Sequence, residues 1–135
     1  MTKILLVEDS KFLRLATGRA LAHAGYQISS AADGEEALGL AREKLPDLIL
    51  LDMLLPKMSG PDVLKALKSD PLTQAIPVVV MTGMSQKNAA RLRADGAFGF
   101  LEKSTLGLDK GSEKLLVALR DILKTLPVNR ALPNA

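Results

Sequence analysis

Cysteine is absent from this 135-residue chain. That excludes disulfides, thiolate metal sites and a cysteine nucleophile. Tryptophan is absent too, and there are only one tyrosine and three phenylalanines. Little aromatic surface is left on which bases could stack, and no Lys/Arg block stands out, so direct nucleic-acid binding is not expected. The net charge is a mild +3. No apolar run approaches the roughly 20 residues of a membrane-spanning helix. The amino terminus, Met1-Thr2-Lys3, leads straight into a short strand, so no signal peptide is expected either. The lone histidine, His23, falls near the end of a helical stretch and reads as a surface residue favoured by the helix dipole. These absences suit a reducing, cytoplasmic setting.

The chain is rich in core-forming residues. It is 47% hydrophobic and 24% charged, a balance that predicts one packed domain rather than disorder. That domain is expected over residues 1–126, with 127–135 as a flexible tail.

Short apolar runs that stop at turn signals read as strands buried on both faces. Lys3 to Val7 is the first, ending at Glu8-Asp9. Ser10 or Asp9 caps a helix from about Lys11 to Ala24, with Gly25 after it. Tyr26 to Ser30 alternates like a strand at or near a sheet edge. Asp33-Gly34 is a turn or cap before a helix from Glu35 to Lys44, which Pro46 ends. Leu48-Ile49-Leu50-Leu51 runs into Asp52, and Pro56 and Ser59-Gly60 mark the turn beyond. Pro61 opens a third helix to about Lys68. Val78 to Met81 is the fourth strand, ending at Thr82-Gly83, and Ser85 caps a helix to about Ala94. Phe98 to Leu101 is the fifth strand, followed by Glu102-Lys103-Ser104. After a loop from Thr105 to Gly111, an apolar stripe from Leu115 to Leu126 marks the last helix.

Five strands alternating with five helices predict an α/β, doubly wound parallel sheet with helices on both faces. In such a sheet the carboxyl ends of the strands meet at one crevice. The residues arriving there are Glu8, Asp9, Asp52, Thr82 and Lys103. Taken singly each has an ordinary reading. Asp52 suits a turn, Glu8-Asp9 a helix N-terminus, Lys103 a solvated charge and Thr82-Gly83 a strand-to-turn junction. Together, three carboxylates against one ammonium call for a further cation. Hard oxygen donors favour Mg²⁺. A carboxylate is a recognised nucleophile for phosphoryl transfer. The cation, Lys103, and the Thr82 hydroxyl with nearby backbone N–H groups could each take one oxygen of the transferred group.

These residues resemble the receiver domains of two-component response regulators. The matching positions are Glu8-Asp9, the run from Asp52 through Leu55-Pro56, Met58 and Ser59-Gly60, then Thr82-Gly83 and Lys103. The resemblance spans about Lys3 to Leu126. It implies a (βα)5 flavodoxin-like fold with strand order 2-1-3-4-5. It also implies that Asp52 accepts a phosphoryl group from a phosphohistidine on a histidine kinase or histidine phosphotransfer protein. By the same resemblance Asp9, Asp52 and the Leu54 carbonyl bind Mg²⁺, Glu8 helps through water, and Lys103 and Thr82 contact the phosphoryl group. Thr82 and Phe100 form a switch that alters the face made by the fourth helix, fifth strand and fifth helix. Phe100 is equally suited to plain core. The implied product is a stand-alone phosphorylation-dependent signalling switch or phosphorelay member, docking to a downstream protein. It is not an enzyme beyond catalysing its own phosphorylation and dephosphorylation.

Two departures stand out. Ser104 occupies the place where the family usually has Pro, often with a cis bond. A cis bond before Ser would cost roughly 2.5–4 kcal/mol, so a trans bond and a remodelled loop are expected. Leu54 and Met84 are apolar where the family tunes water access, which predicts a long-lived aspartyl phosphate. Two rivals fare worse. A phosphatase with an Asp nucleophile would want a second Asp at position 54, which is Leu. A nucleotide- or flavin-binding module would want a phosphate-cradling loop after the first strand, where Glu8-Asp9 repels phosphate.

Overall fold

The computed structural model describes residues 2–53, 55–82, 89–103 and 113–126, with the side chains of Thr82 and Ala89 excepted. Its elements run β1 (Lys3–Val7), α1 (Lys11–His23), β2 (Gln27–Ala31), α2 (Gly34–Lys44), β3 (Leu48–Asp52), α3 (Gly60–Ser69), β4 (Val78–Thr82), α4 (Ala89–Ala94), β5 (Gly99–Glu102) and α5 (Glu113–Lys124). The strands form one parallel sheet in the order β2-β1-β3-β4-β5. The expected doubly wound fold and strand order are both present. Among the described residues no helix is long and apolar enough to cross a membrane.

The alternation of side chains along each strand sorts the core into two layers. Leu5 and Val7 of β1, Ile49 and Leu51 of β3, and Val78 and Val80 of β4 pack with Ala37 of α2 and Val63, Leu64 and Leu67 of α3. Ile4, Leu6, Leu48, Leu50, Val79 and Met81 pack on the other face with Leu21 of α1 and Leu115 and Leu119 of α5. Every residue of β3 is buried. This explains why β3 reads as an unbroken apolar run, whereas the edge strand β2, buried only at Ala31, mixes apolar and polar residues.

Local chemistry places the helix starts. The Ser10 hydroxyl accepts from the Leu13 N–H, the Asp33 carboxylate from the Glu36 N–H and the Ser59 hydroxyl from the Asp62 N–H, so each is an N-cap. Gly25, just past α1, has φ +104°, the left-handed conformation that Gly adopts at least cost. Gly60 is required for a different reason. Its N–H donates to the Met53 carbonyl at 3.2 Å, and a Cβ there would lie 2.5 Å from the Met53 Cα. The start of α3 therefore packs directly on the chain leaving Asp52. Met53 and Met81 are buried core residues, and Met58 packs against the core, in keeping with gap-filling.

Candidate functional site

Three strand ends build the site. β1 ends at Val7, and its chain continues into Glu8 and Asp9. β3 ends on Asp52. β5 ends at Glu102, one residue before Lys103. The register sets Asp52 opposite Met81 and Thr82 opposite Glu102. Glu8, Asp9 and Asp52 each present a carboxylate oxygen within 4.8 Å of the others. Asp52 is 1% exposed and Glu8 3% exposed, while Asp9 is open to solvent. Lys103 Nζ donates to Asp52 Oδ2 at 2.7 Å and reaches Glu8 Oε1 at 3.4 Å.

The electrostatics follow from this crowding. Burial pushes the Glu8 carboxyl up to about 7, helped by the Asp52 charge and by the hydrogen bond between the two carboxyl groups. Lys103 and the Ser10 N–H, 3.2 Å from Glu8 Oε2, pull the other way. Burial disfavours the Lys103 charge, but the hydrogen bond and charge of Asp52, with those of Glu8, prevail and raise its pKa. The cluster thus holds more negative charge than its one ammonium offsets. An all-oxygen donor set of this size fits a hard divalent cation such as Mg²⁺, which typically takes only one or two carboxylates and keeps waters.

The family pattern described as the response regulator receiver domain matches residues 4–113. The chain belongs to the response regulator receiver family. Receivers are signalling domains of two-component systems. This one is 39% identical over 105 residues to the polar-differentiation response regulator DivK of Brucella ovis, a match covering 76% of this chain and 85% of that one. It is 34% identical over 108 residues to a gliding motility regulatory protein of Myxococcus xanthus, covering 79% of this chain but only 14% of that longer protein. Among solved structures, the chemotaxis response regulator CheY4 of Vibrio cholerae superposes with a TM-score of 0.80 at 32% identity, covering 90% of the receiver and 98% of CheY4.

The structure brings together Glu8, Asp9, Asp52 and Lys103. Thr82 ends the neighbouring strand β4, but its side chain lies outside the described residues. Phe100 sits on β5 opposite Val80. It packs against the core from a half-buried position, with the Arg93 guanidinium carbon 5.2 Å from its ring centroid. The Leu54 carbonyl, Gly83, Met84, the Ser85 cap, Ser104, the Thr105–Gly111 loop and the 127–135 tail lie outside the described residues. His23 is exposed in the last turn of α1, apart from the site.

One residue beside the site was not singled out from the sequence. Arg14 Nη1 donates to the backbone carbonyls of Glu8 at 3.0 Å and Asp9 at 3.3 Å. Nothing in the periodicity separates it from Lys11 or Arg19 on the same helix. Only its place one turn after an acidic pair would have marked it.

Proposed function

We propose that this receiver is a phosphorylation-dependent switch in which Asp52 accepts a phosphoryl group from a phosphohistidine of a histidine kinase or histidine phosphotransfer protein. The observation that carries the reading is the 2.7 Å contact of Lys103 Nζ with the buried Asp52 Oδ2, beside two further carboxylates. A structural Asp at a strand end has no need of a half-buried ammonium and two like charges around it.

An Asp52 carboxylate oxygen attacks phosphorus. The P–O bond forms as the P–N bond breaks, and its electron pair returns to the imidazole nitrogen. Lys103, already on Asp52, would hold an oxygen of the incoming group, and the Thr82 hydroxyl would hold another. Asp9 and Asp52, with the Leu54 carbonyl, would hold Mg²⁺, and Glu8 would act through water. The cation, when bound, neutralises charge on the phosphoryl oxygens. The receiver catalyses only its own modification, and water attacking the same phosphorus resets it.

The output would pass through Thr82 and Phe100 to the face made by α4, β5 and α5. A crevice of about 400 Å³ lies there, lined by Arg93, Phe98, Phe100, Asp121 and Ile122 among others. A downstream protein would dock on that face. A phosphohistidine donor on a sensor kinase implies a cytoplasmic setting.

The test is incubation with a small acyl phosphate and Mg²⁺, read by intact mass. Wild type should gain one phosphoryl group, and Asp52→Asn none. A wild type that gains nothing overturns the reading.

A further inference from the structure

We infer that Arg14 is a positioning residue that sets the affinity of the acidic cluster for its divalent cation. The inference rests on the cation site proposed above.

Successive side chains of a strand point to opposite faces. If β1 simply continued, Glu8 and Asp9 would diverge. Yet both carboxylates lie within 4.8 Å of one another and of Asp52. The chain must therefore leave the extended conformation between Val7 and Ser10 and be held there. The Glu8 N–H still donates to the Ala31 carbonyl of β2 at 3.0 Å, so Glu8 remains tied to the sheet on that side. Past it, one guanidinium nitrogen clasps two successive carbonyls, those of Glu8 and Asp9. Two consecutive carbonyls that converge on one donor define a bend.

Arg14 is itself well anchored. Its N–H donates to the Ser10 carbonyl at 2.8 Å, the first bond of α1, and Ser10 is the helix cap. The clamp therefore ties the acidic pair to a rigid helix. Hydrogen bonds from a charged donor are the stronger kind, and the planar guanidinium fixes their direction. Its positive charge alone would weaken cation binding by repulsion. The inference is that holding Glu8 and Asp9 in the converged arrangement outweighs that repulsion. Groups that orient metal ligands from behind commonly set affinity by about 10- to 100-fold.

Calorimetric titration of the full chain with MgCl2 tests this, beside urea unfolding in EDTA. Arg14→Ala should weaken Mg²⁺ affinity by about tenfold, and Arg14→Lys, which keeps a donor and the charge, should recover part of the loss. Arg14→Gln replaces Arg14→Ala if the latter does not fold. Arg42→Ala, far from the site, should bind as wild type does. If Arg14→Ala or Arg14→Gln binds Mg²⁺ as tightly as wild type, or more tightly, Arg14 has no such role, whatever happens to the urea midpoint. If wild type itself binds no Mg²⁺, the cation site and the inference fall together.

Discussion

The two ends of the sheet use charge in opposite ways. At the amino ends of the strands, cations close loops. Lys68 Nζ donates to the carbonyls of Gln74 and Ile76 at 3.1 and 2.7 Å. Arg42 Nε meets Asp70 Oδ2 at 2.6 Å, linking the end of α2 to the end of α3. The Asp47 carboxylate accepts from the Lys3 N–H at 2.8 Å. Each of these joins opposite charges, or a charge and a dipole, near the surface. At the carboxyl ends, Glu8, Asp9 and Asp52 converge and Lys103 is shared between two of them. The same kinds of group favour the fold at one end and oppose it at the other. A site held in that state is ready for a ligand that supplies the missing charge.

The site end is nonetheless tightly packed. Gly60→Ala should show this with the largest effect. The new Cβ would meet the backbone of Met53, which cannot give way as a flexible side chain can. We expect a loss of roughly 3 kcal/mol in urea unfolding, together with a fall in phosphorylation rate, because Met53 follows Asp52 directly. A loss below about 1 kcal/mol would mean that α3 can slide away from the Asp52 chain.

The next effect tests the charge argument itself. Glu8 titrates at about 7 in the fold against 4.5 for the free group. The folded state therefore binds more protons between those values, and stability must fall as pH rises from about 4.5 to about 7. In EDTA the fall should be on the order of 2 kcal/mol. Mg²⁺ should oppose it by binding only the folded state. Asp52→Asn removes one contributor but leaves burial, the larger cause. The slope should shrink without vanishing, and the variant should be more stable than wild type at pH 7.5. A less stable Asp52→Asn would show that the pair with Lys103 outweighs the repulsion. At the other end, Asp70 is depressed chiefly by its hydrogen bond to Arg42 and also by the Leu72 N–H. Its contribution is present above the ordinary Asp value and fades as pH falls through the lowered one.

Most of this was legible in the sequence for a physical reason. β1, β3 and β4 lie in the middle of a parallel sheet, so burial on both faces writes them as apolar runs. The two edge strands start one residue later than the sequence predicts. β2 is Gln27–Ala31 rather than Tyr26 to Ser30, and β5 is Gly99–Glu102 rather than Phe98 to Leu101. One-sided burial constrains an edge less. Asp52, Glu8, Asp9 and Lys103 are legible because each lies at or just past the carboxyl end of a strand, and those ends meet at one crevice; the convergence of Glu8 and Asp9 is not, since an extended chain would point them apart. The close approach of Gly60 to Met53, the Arg14 clamp and the Lys68 clasp were not. Each joins groups whose meeting depends on how helices pack, which no local pattern encodes.

Lys68 probes the stabilising end. Its stem passes over Gly96, where a Cβ would lie 2.6 Å from the Lys68 Cγ. Lys68→Met keeps the stem and removes the ammonium from two carbonyls. We expect a loss of about 1–2 kcal/mol, with little change in slope between pH 4.5 and 7, since no carboxylate shift there depends on it. A changed slope would couple the two ends.

The smallest change is expected from the backbone. Among the described residues, two non-glycine residues have positive φ, one at each end: Leu45 at 46°, the left-handed cap of α2, and Lys57 at 66°, in the loop after Asp52. A left-handed conformation costs an ordinary residue roughly 1–2 kcal/mol, and glycine's greater freedom when unfolded offsets about 0.5–1 of any relief. Leu45 is 53% exposed, so little packing is lost with its side chain. Leu45→Gly should therefore gain about 0.5 kcal/mol. At Lys57 the same relief is set against an ion pair, since Nζ lies 3.8 Å from Asp33 Oδ2. That contact is exposed on the lysine side, where such pairs are worth little. Lys57→Gly should gain slightly less than Leu45→Gly in urea unfolding. If Lys57→Gly instead costs stability, the loop after Asp52 depends on that lysine, and charge at the site end helps hold the fold after all.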